Sequence, residues 1–289
     1  TIDNTVNNTE TFQKKLKILV LHSNRQTSQL FKAKTEKFLE KKLKNISEFT
    51  YCDAPMVYKP SGEAEQLIQD KEYATVPNVG QNRAWWNATD DADTMVYNGL
   101  EDSLTYIDSL FKNGDFDGII GFSQGGTITG IIAAMVHDSR ASKQVAVPID
   151  NISKSLKFVA MISGFYCRDT RPEFKNCLLE SAPLQHNAES VEVRKDLICI
   201  PSFHSWGLAD ELVNPWRSEK LAEAFAFDSF NTLPPLKQQH THLSGHFAKA
   251  IKFWPVQQLY EWLKIFAEKN DSTPDLSSTY DKYCSEIIV

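Results

Sequence analysis

The stretch Gly121-Phe122-Ser123-Gln124-Gly125 decides how the rest of this sequence is interpreted. It follows an apolar run, residues 116–120, that predicts a buried strand, and it precedes residues 127–135, where apolar side chains recur at helical spacing. Glycines two residues before and two after a serine, between a strand and a helix, are typical of a sharp turn that exposes a nucleophilic hydroxyl. The pattern alone is also compatible with a serine that only caps the following helix.

A serine nucleophile needs an acid and a histidine further along the chain, each placed just after a strand. The predicted strand 197–204 leads into the turn Gly207-Leu-Ala-Asp-Glu-Leu-Val213, in which Asp210 is the first carboxylate after the bend. Glu211 is the alternative acid. The chemistry requires this carboxylate to fix the tautomer of the histidine and to stabilise its protonated form.

The histidine that best completes this pattern is His246, which follows Gly245 and precedes the last predicted helix. His240 and His242 are the alternatives, and they lie at strand spacing. The order serine, acid, histidine is that of the α/β-hydrolases and differs from the order in chymotrypsin-like and subtilisin-like proteases. The sequence therefore predicts an α/β-hydrolase, with a mostly parallel sheet and helices on both faces.

Two backbone N–H groups are predicted to form an oxyanion hole. The amide of Gln124 opens the helix after the serine and can face a developing negative charge. The second amide is expected in the loop after the apolar strand 17–22, where such enzymes commonly have His-Gly-x and this sequence has His22-Ser23-Asn24. The N–H of Asn24 is the candidate donor. The alternative is a polar connection with no part in catalysis.

The remaining elements are predicted from periodicity and from glycine and proline positions. Predicted helices cover 99–111, 215–227 and 255–268, and further predicted strands cover 49–53, 156–162 and 236–240. His22 and His204, at strand ends, are expected to hydrogen-bond loops and are assigned no chemistry.

The domain organisation follows from composition along the chain. We expect a flexible tail over 1–15, a single α/β-hydrolase domain over 16–268 and a C-terminal tail over 269–289. Residues 54–98 are irregular and rich in proline, which predicts an insertion near the active site. Its Trp85-Trp86 pair could supply an apolar substrate wall, although at least one of the two is expected to anchor the core.

Composition excludes several classes of function. The protein has 289 residues, 42% of them hydrophobic, and a net charge of −6 without a long basic patch, so a nucleic-acid partner is not expected. No H-E-x-x-H, P-loop or strand-linked G-x-G-x-x-G pattern occurs, so neither a metal nor a cofactor is predicted. No run of about 18 apolar residues occurs, so a membrane span is not predicted.

The five cysteines form an odd set without C-x-x-C spacing. This usage suits neither a disulfide framework nor a zinc site, and it predicts a cytoplasmic protein. No pattern in the sequence specifies an oligomeric state.

Longer motifs extend the interpretation. They are Leu19-Val-Leu-His22 followed by Arg25-Gln26, Arg83-Ala-Trp-Trp86, Tyr97-Asn-Gly-Leu-Glu-Asp-Ser-Leu104, Phe116-Asp-Gly-Ile-Ile-Gly-Phe-Ser-Gln-Gly125, Pro201-Ser-Phe-His-Ser-Trp-Gly-Leu-Ala-Asp210 and Ser244-Gly-His246. On these motifs the protein resembles the FSH family of serine hydrolases, which are α/β-hydrolases of fungi and animals, over roughly residues 16–268.

The resemblance implies a cofactor-free serine carboxylesterase or thioesterase in which Ser123, Asp210 and His246 occupy the positions of the triad. Two residues depart from the family pattern. Ser23 stands where the family usually has glycine, which could alter the oxyanion loop, and Ser244 stands where it often has glycine.

The leading hypothesis is hydrolysis of a carboxylic ester of medium acyl length through an acyl-Ser123 intermediate. An acyl thioesterase that releases acyl groups from a carrier is the alternative. A ligand-binding module that keeps the fold without turnover is the alternative of another class. A small-molecule acyl ester or thioester is the expected partner in the first two cases.

Overall fold

The protein folds around a central β-sheet in the computed structural model, which describes residues 14–59, 82–91, 94–141, 143–177, 197–226, 237–246 and 255–270. The strands are β1 (Leu16–Leu21), β2 (Ser47–Cys52), β3 (Met56–Val57), β4 (Arg83–Ala84), β5 (Asn87–Asp91), β6 (Thr94–Asn98), β7 (Gly118–Phe122), β8 (Phe158–Ile162), β9 (Ser202–Gly207) and β10 (Lys237–His242). The helices are α1 (Ser28–Leu43), α2 (Leu100–Gly114), α3 (Gln124–Arg140), α4 (Asp150–Ser155), α5 (Pro215–Glu223) and α6 (Val256–Asn270).

The central sheet has six strands in the order β10-β9-β8-β7-β1-β2, and every neighbouring pair is parallel. Strands such as β7 and β8 are buried along their whole length, which explains their continuous apolar character in the sequence. Since the strands run in one direction, the loops that follow β1, β7, β9 and β10 all meet at one edge of the sheet.

Helices cover both faces of the sheet, as the sequence predicts. Successive side chains of β1 point to opposite faces and enter two separate cores. One core joins the sheet to α1 and α6 and includes Ile18, Val20, Phe31, Phe158, Trp262 and Phe266. The other joins the sheet to α2 and α3 and includes Leu19, Leu21, Leu104, Ile107, Ile128 and Trp85. The predicted mostly parallel sheet with helices on both faces is confirmed.

The segment 54–98 differs from the irregular insertion that the sequence predicts. Its described residues form two small antiparallel ribbons, β3 with β4 and β5 with β6. Trp85 and Trp86 are both buried in the core, and Trp86 also stacks on Tyr97 with ring centroids 4.4 Å apart. Short strands of two to five residues have too little periodicity to be recognised in a sequence rich in proline and polar residues.

Two element boundaries also differ from the prediction. The strand predicted over 197–204 begins at Ser202, because Ile198 instead forms an isolated bridge with Phe225. The helix predicted over 215–227 ends at Glu223. The described part of residues 166–196 contributes three buried side chains to the core, namely Tyr166, Cys167 and Phe174.

Several predictions concern segments outside the described residues. These segments are residues 1–13 of the predicted N-terminal tail, residues 60–81 of the predicted insertion, residue 236 of the predicted strand 236–240, and the predicted C-terminal tail beyond residue 270. The domain boundaries at 16 and 268 stay a prediction.

The cysteines differ in part from what their spacing predicts. Cys52 and Cys167 are buried free thiols, and burial raises the pKa of the Cys52 thiol to about 12. Cys199, however, is disulfide-bonded. Disulfide formation depends on how closely two cysteines approach in the fold, and sequence spacing does not encode that approach. Cysteine usage therefore no longer supports a reducing compartment, and the cytoplasmic location stays a prediction.

None of the helices in the described ranges combines the length and the hydropathy needed to cross a bilayer.

Candidate active site

Ser123 occupies a strained turn between β7 and α3. Its backbone has φ 54° and ψ −117°, a region that side-chain-bearing residues rarely adopt, and its N–H donates to Ile162 O at 2.8 Å. Ser123 is the N-cap position of α3, yet its side chain makes no capping hydrogen bond. The hydroxyl is therefore left available for other contacts, which disfavours the interpretation of Ser123 as a simple helix cap.

Gly125 permits the close approach of α3 to β1 at this turn. A Cβ atom at Gly125 would lie 2.4 Å from Leu21 O and 2.6 Å from His22 O, both of which are backbone atoms. Neither oxygen can move without shifting the strand or the loop that follows it. The glycine two residues after the serine is thus required by packing between the helix and the sheet.

Replacement of Gly125 by alanine is expected to lower the free energy of unfolding by about 2 kcal/mol, because the new methyl group overpacks against backbone. Gly130→Ala in the same helix is the control. A Cβ there would meet the end of the Leu221 side chain at 2.8 Å, which can rotate away, and alanine favours the helix by about 1 kcal/mol. Urea unfolding of both variants tests this, and equal destabilisation would contradict it.

The structure brings Ser123, His246 and Asp210 into one hydrogen-bonded series. Ser123 Oγ lies 3.0 Å from His246 Nε2, and His246 Nδ1 lies 2.6 Å from Asp210 Oδ2. An ionised carboxylate only accepts hydrogen bonds, so the Nδ1 proton is donated to Asp210 and Nε2 accepts from the hydroxyl. All three residues are at least nine-tenths buried.

The loops that carry Asp210 and His246 hold each other in place. Leu208 N–H donates to His242 O at 2.7 Å, and Ala209 N–H donates to Ser244 O at 3.3 Å. These bonds tie the turn after β9 to the turn after β10. The acid and the histidine are thereby positioned together at the edge of the sheet where β7 delivers Ser123.

Asp210 is also fixed by its own turn. Its Oδ1 accepts from Leu212 N–H at 2.9 Å and from Val213 N–H at 2.8 Å, which leaves Oδ2 for the histidine. The alternative acid predicted from the sequence, Glu211, is exposed. The carboxylate that reaches the histidine is therefore the one that the turn itself orients.

The alternative histidines lie elsewhere. His240 is half-buried on the edge strand β10. Nδ1 of His242 accepts from Ser244 N–H at 3.3 Å, which uses that ring to shape the turn before Gly245. His246 is the histidine that the structure places on Ser123.

Both candidate oxyanion donors belong to residues that line one cleft with Ser123, namely Gln124 and Asn24. The loop that carries Asn24 is held by His22, whose Nδ1–H donates to Ser23 O at 2.7 Å and whose Nε2 accepts from Ala54 N–H at 2.9 Å. Ser23 is buried in this loop. The assignment of the two amides to an oxyanion hole stays a proposal.

The side chain of Gln124 has a role that the sequence did not indicate. Its Oε1 accepts from Trp85 N–H at 2.8 Å, and its Nε2 donates to Trp86 O at 2.9 Å. The residue after Ser123 therefore clamps the segment 85–86 against the turn. No local signal in the sequence indicates this contact, because its partners are backbone groups distant along the chain.

The cleft above Ser123 has a volume of about 380 Å³. Its apolar walls come from the stacked rings of Trp86 and Tyr97 and from Phe165, whose ring centroid lies 6.4 Å from that of Trp86. Its polar and charged lining includes Ser23, Asn24, Arg25, Gln26, Lys34, Arg168 and Arg217.

His22 and His204 hydrogen-bond their surroundings, and neither contacts Ser123. Burial lowers the pKa of His22 to about 4 and the pKa of His204 to about 3. His204 Nε2 lies 3.0 Å from Ser202 Oγ. Both rings are therefore neutral at physiological pH. His22 bonds the loop residues Ser23 and Ala54, as expected from the sequence, whereas the partner of His204 lies within β9.

Acidification is expected to destabilise the fold through these two rings. The unfolded protein binds protons near the ordinary histidine pKa of 6.5, whereas folded His22 and His204 do not, so stability is fully present above that pKa and falls as pH decreases towards 4 and 3. Each ring should remove about 2 kcal/mol from the free energy of unfolding by about pH 5.

Urea unfolding at neutral and acidic pH measures this dependence. His204→Phe should markedly reduce the slope of the free energy of unfolding against pH. His240→Phe, at a half-buried edge position, should change that slope much less. A wild-type slope retained in His204→Phe would contradict the assignment.

A parallel sheet, a strained serine turn, and a carboxylate and a histidine delivered by later strands define a serine hydrolase with the α/β-hydrolase fold. A family model described as "Serine hydrolase (FSH1)" matches residues 11–248. The protein therefore belongs to the FSH1 family of serine hydrolases, and the resemblance found in the motifs is confirmed.

Several curated relatives of this protein are named esterases. The human esterase OVCA2 is 28% identical, and the match covers 89% of this sequence and 99% of that protein. An esterase of Caenorhabditis elegans is also 28% identical, with 83% of this sequence and 96% of that protein covered. An esterase of Aedes aegypti is 29% identical over 89% of this sequence and 77% of its own length.

Among solved structures, acyl-protein thioesterase 2 of Zea mays matches with a TM-score of 0.52. The match covers 86% of this protein and 94% of that one at 17% identity. This likeness supports the α/β-hydrolase fold.

Proposed function

We propose that this protein hydrolyses carboxylic esters of medium acyl length through an acyl-enzyme on Ser123. One observation carries the proposal, the continuous series of hydrogen bonds from Ser123 Oγ through His246 to Asp210, with links of 3.0 and 2.6 Å. This is the geometry that lets a neutral imidazole accept a proton from a nucleophilic hydroxyl.

In the first half of the reaction, Ser123 Oγ attacks the ester carbonyl carbon while its proton passes to His246 Nε2. The carbonyl oxygen becomes an oxyanion that accepts hydrogen bonds from the backbone N–H groups of Gln124 and Asn24. The C–O bond to the alcohol then breaks, and the alcohol leaves with the proton from His246. Asp210 remains ionised and stabilises the imidazolium.

In the second half, a water molecule repeats the sequence on the acyl-enzyme. His246 accepts a proton from the water as it attacks the acyl carbon, and it returns the proton to Ser123 Oγ when the acid leaves. The two halves use the same groups, so no further residue is needed for turnover.

The size of the cleft supports a small substrate. A volume of about 380 Å³ lies at the lower end of the range of about 300–1,000 Å³ that is usual for small-molecule sites. The aromatic walls formed by Trp86, Tyr97 and Phe165 suit an apolar acyl group.

A series of p-nitrophenyl esters from acetyl to lauroyl tests the proposal, with an alkyl thioester of each acyl group as the matched comparison. We expect the highest kcat/KM for oxygen esters of medium length. Intact-mass analysis after rapid acid quenching should detect an acyl adduct, and peptide mapping should place it on Ser123.

The other outcomes of this experiment identify other functions. A clear preference for the thioesters would make the protein an acyl thioesterase. An ester that binds and persists unhydrolysed over hours would indicate a ligand-binding module and would overturn the proposal.

A further inference from the structure

Two arginines in the cleft, Arg168 and Arg217, have no carboxylate partner among the described residues. Both are half-buried and both line the cleft that contains Ser123. The Nε atom of each is fully buried and has no hydrogen-bond partner within the described ranges. Guanidinium groups that are partly removed from water normally pair with a carboxylate or a phosphate, so two that lack a carboxylate partner require an explanation.

The carboxylate nearest in sequence is already occupied. Asp169 follows Arg168 directly, but its side chain is fully buried and receives hydrogen bonds from the Arg171 guanidinium and from Tyr97 N–H. Arg171 also pairs with Glu101. This ion cluster is complete without Arg168, whose backbone N–H donates to the Tyr97 hydroxyl at 3.2 Å while its guanidinium takes no part.

Aromatic packing holds Arg217 in position. Its guanidinium carbon lies 4.5 Å from the ring centroid of Phe165 and 5.8 Å from that of Tyr166. Stacking on the flat faces of rings leaves the edge of the guanidinium, which carries its N–H donors, free to bind a ligand. Phe165 itself lines the cleft, so the donors are held at the wall of the site.

The two cations are close enough to affect each other. Burial and the neighbouring positive charge of Arg168 lower the pKa of the Arg217 guanidinium. Two like charges with incomplete solvation raise the free energy of the empty cleft, and an anion bound between them would remove that cost.

The rest of the lining is also positive. Arg25 and Lys34 contribute two more basic side chains, and none of the residues that line the cleft in the described part of the protein is aspartate or glutamate. The whole protein, in contrast, has a net charge of −6. The lining of the cleft is therefore more positive than the protein as a whole, and this charge acts on the space in front of Ser123.

We infer that the preferred substrate carries, besides the ester that Ser123 attacks, a second anionic group of the carboxylate or phosphate class that binds Arg168 and Arg217. The inference rests on the proposed ester hydrolysis and specifies its substrate class. A planar guanidinium can bind two oxygens of either anion, and two guanidinium groups can share one anion.

Matched methyl esters test the inference. Dimethyl suberate ends in a neutral ester, monomethyl suberate ends in a carboxylate, and a third methyl ester of the same length ends in phosphate. A fourth, which ends in trimethylammonium, is the charge-reversed control. Release of acid from each is followed in a pH-stat. We expect kcat/KM for the better of the two anionic esters to exceed that of dimethyl suberate about tenfold, chiefly through a lower KM.

Arg168→Gln and Arg217→Gln should each reduce the ratio of anionic to neutral kcat/KM severalfold, and Arg217→Lys, which keeps the charge, should retain part of it. Lys112→Gln on α2, outside the cleft lining, removes the same net charge and should leave the ratio unchanged. The better of the carboxylate and phosphate arms identifies the anion.

A wild-type preference for the neutral or the cationic ester would overturn the inference while leaving ester hydrolysis intact. An unchanged ratio of anionic to neutral kcat/KM in both Arg168→Gln and Arg217→Gln would also overturn the inference, provided that circular dichroism shows that both variants fold. If no ester is hydrolysed, the proposed function fails. In that case, calorimetry can compare the affinities of the protein for monomethyl suberate and dimethyl suberate. Tighter binding of monomethyl suberate would show that the cleft selects an anion.

Discussion

Ser123→Ala is expected to lower kcat for ester hydrolysis by a factor of about 10⁴ or more, because the variant has no atom that can form the acyl-enzyme. The proposed donors at Gln124 and Asn24 would remain, so a small residual rate above that of water is expected. The same variant should lose labelling by a fluorophosphonate probe, which reacts covalently with an activated serine hydroxyl.

Ser109→Ala is the matched control, since Ser109 is exposed on α2 and donates only to Tyr106 O. It should keep wild-type rates and labelling. Equal labelling of wild type and Ser123→Ala would show that another nucleophile reacts and would exclude the proposed mechanism.

Asp210→Asn is expected to reduce kcat by a factor of about 10⁴ through the tautomer of the histidine. The N–H groups of Leu212 and Val213 both donate to Oδ1, so the amide oxygen of the asparagine must take that position. Its NH₂ group would then face His246 Nδ1, 2.6 Å from the present Oδ2, and would force the ring proton onto Nε2. A protonated Nε2 cannot accept the proton of Ser123.

Steady-state kinetics with the best ester of the acyl series measures this effect. Glu211→Gln is the control, because Glu211 is the adjacent, exposed carboxylate. It should retain nearly full activity. A larger loss in Glu211→Gln than in Asp210→Asn would reverse the assignment of the acid.

Much of the fold follows from local sequence patterns. The strands around Ile18, Ile120 and Val159 are continuous apolar runs between clear turn signals, and these become neighbours in the parallel sheet. The small ribbons in 54–98 escaped prediction because their strands are short and their partners are selected by tertiary packing on residues such as Trp85. The helix after Pro215 likewise ends early, at Glu223, where the next residues bond to Ile198, a partner distant along the sequence.

Some residues of the candidate site can likewise be predicted from local sequence patterns, and others cannot. Ser123, Asp210 and His246 each follow a strand, and the parallel order of strands is sufficient to bring them to one edge, where the structure places them in contact. Arg168 and Arg217 carry no such signal. They meet because the loop after β8 and the helix after β9 lie side by side, and whether an arginine is unpaired becomes visible only when its neighbours are known.

The clamp formed by Gln124 has a consequence for how the cleft of this protein can be altered. Its side chain binds the backbone N–H of residue 85 and the backbone carbonyl of residue 86, and every amino acid except proline provides both kinds of group. The wall of the cleft can therefore exchange its side chains, and with them its selectivity, while its attachment to the reactive turn persists. An engineer who reshapes this wall should leave Gln124 unchanged and keep proline out of position 85.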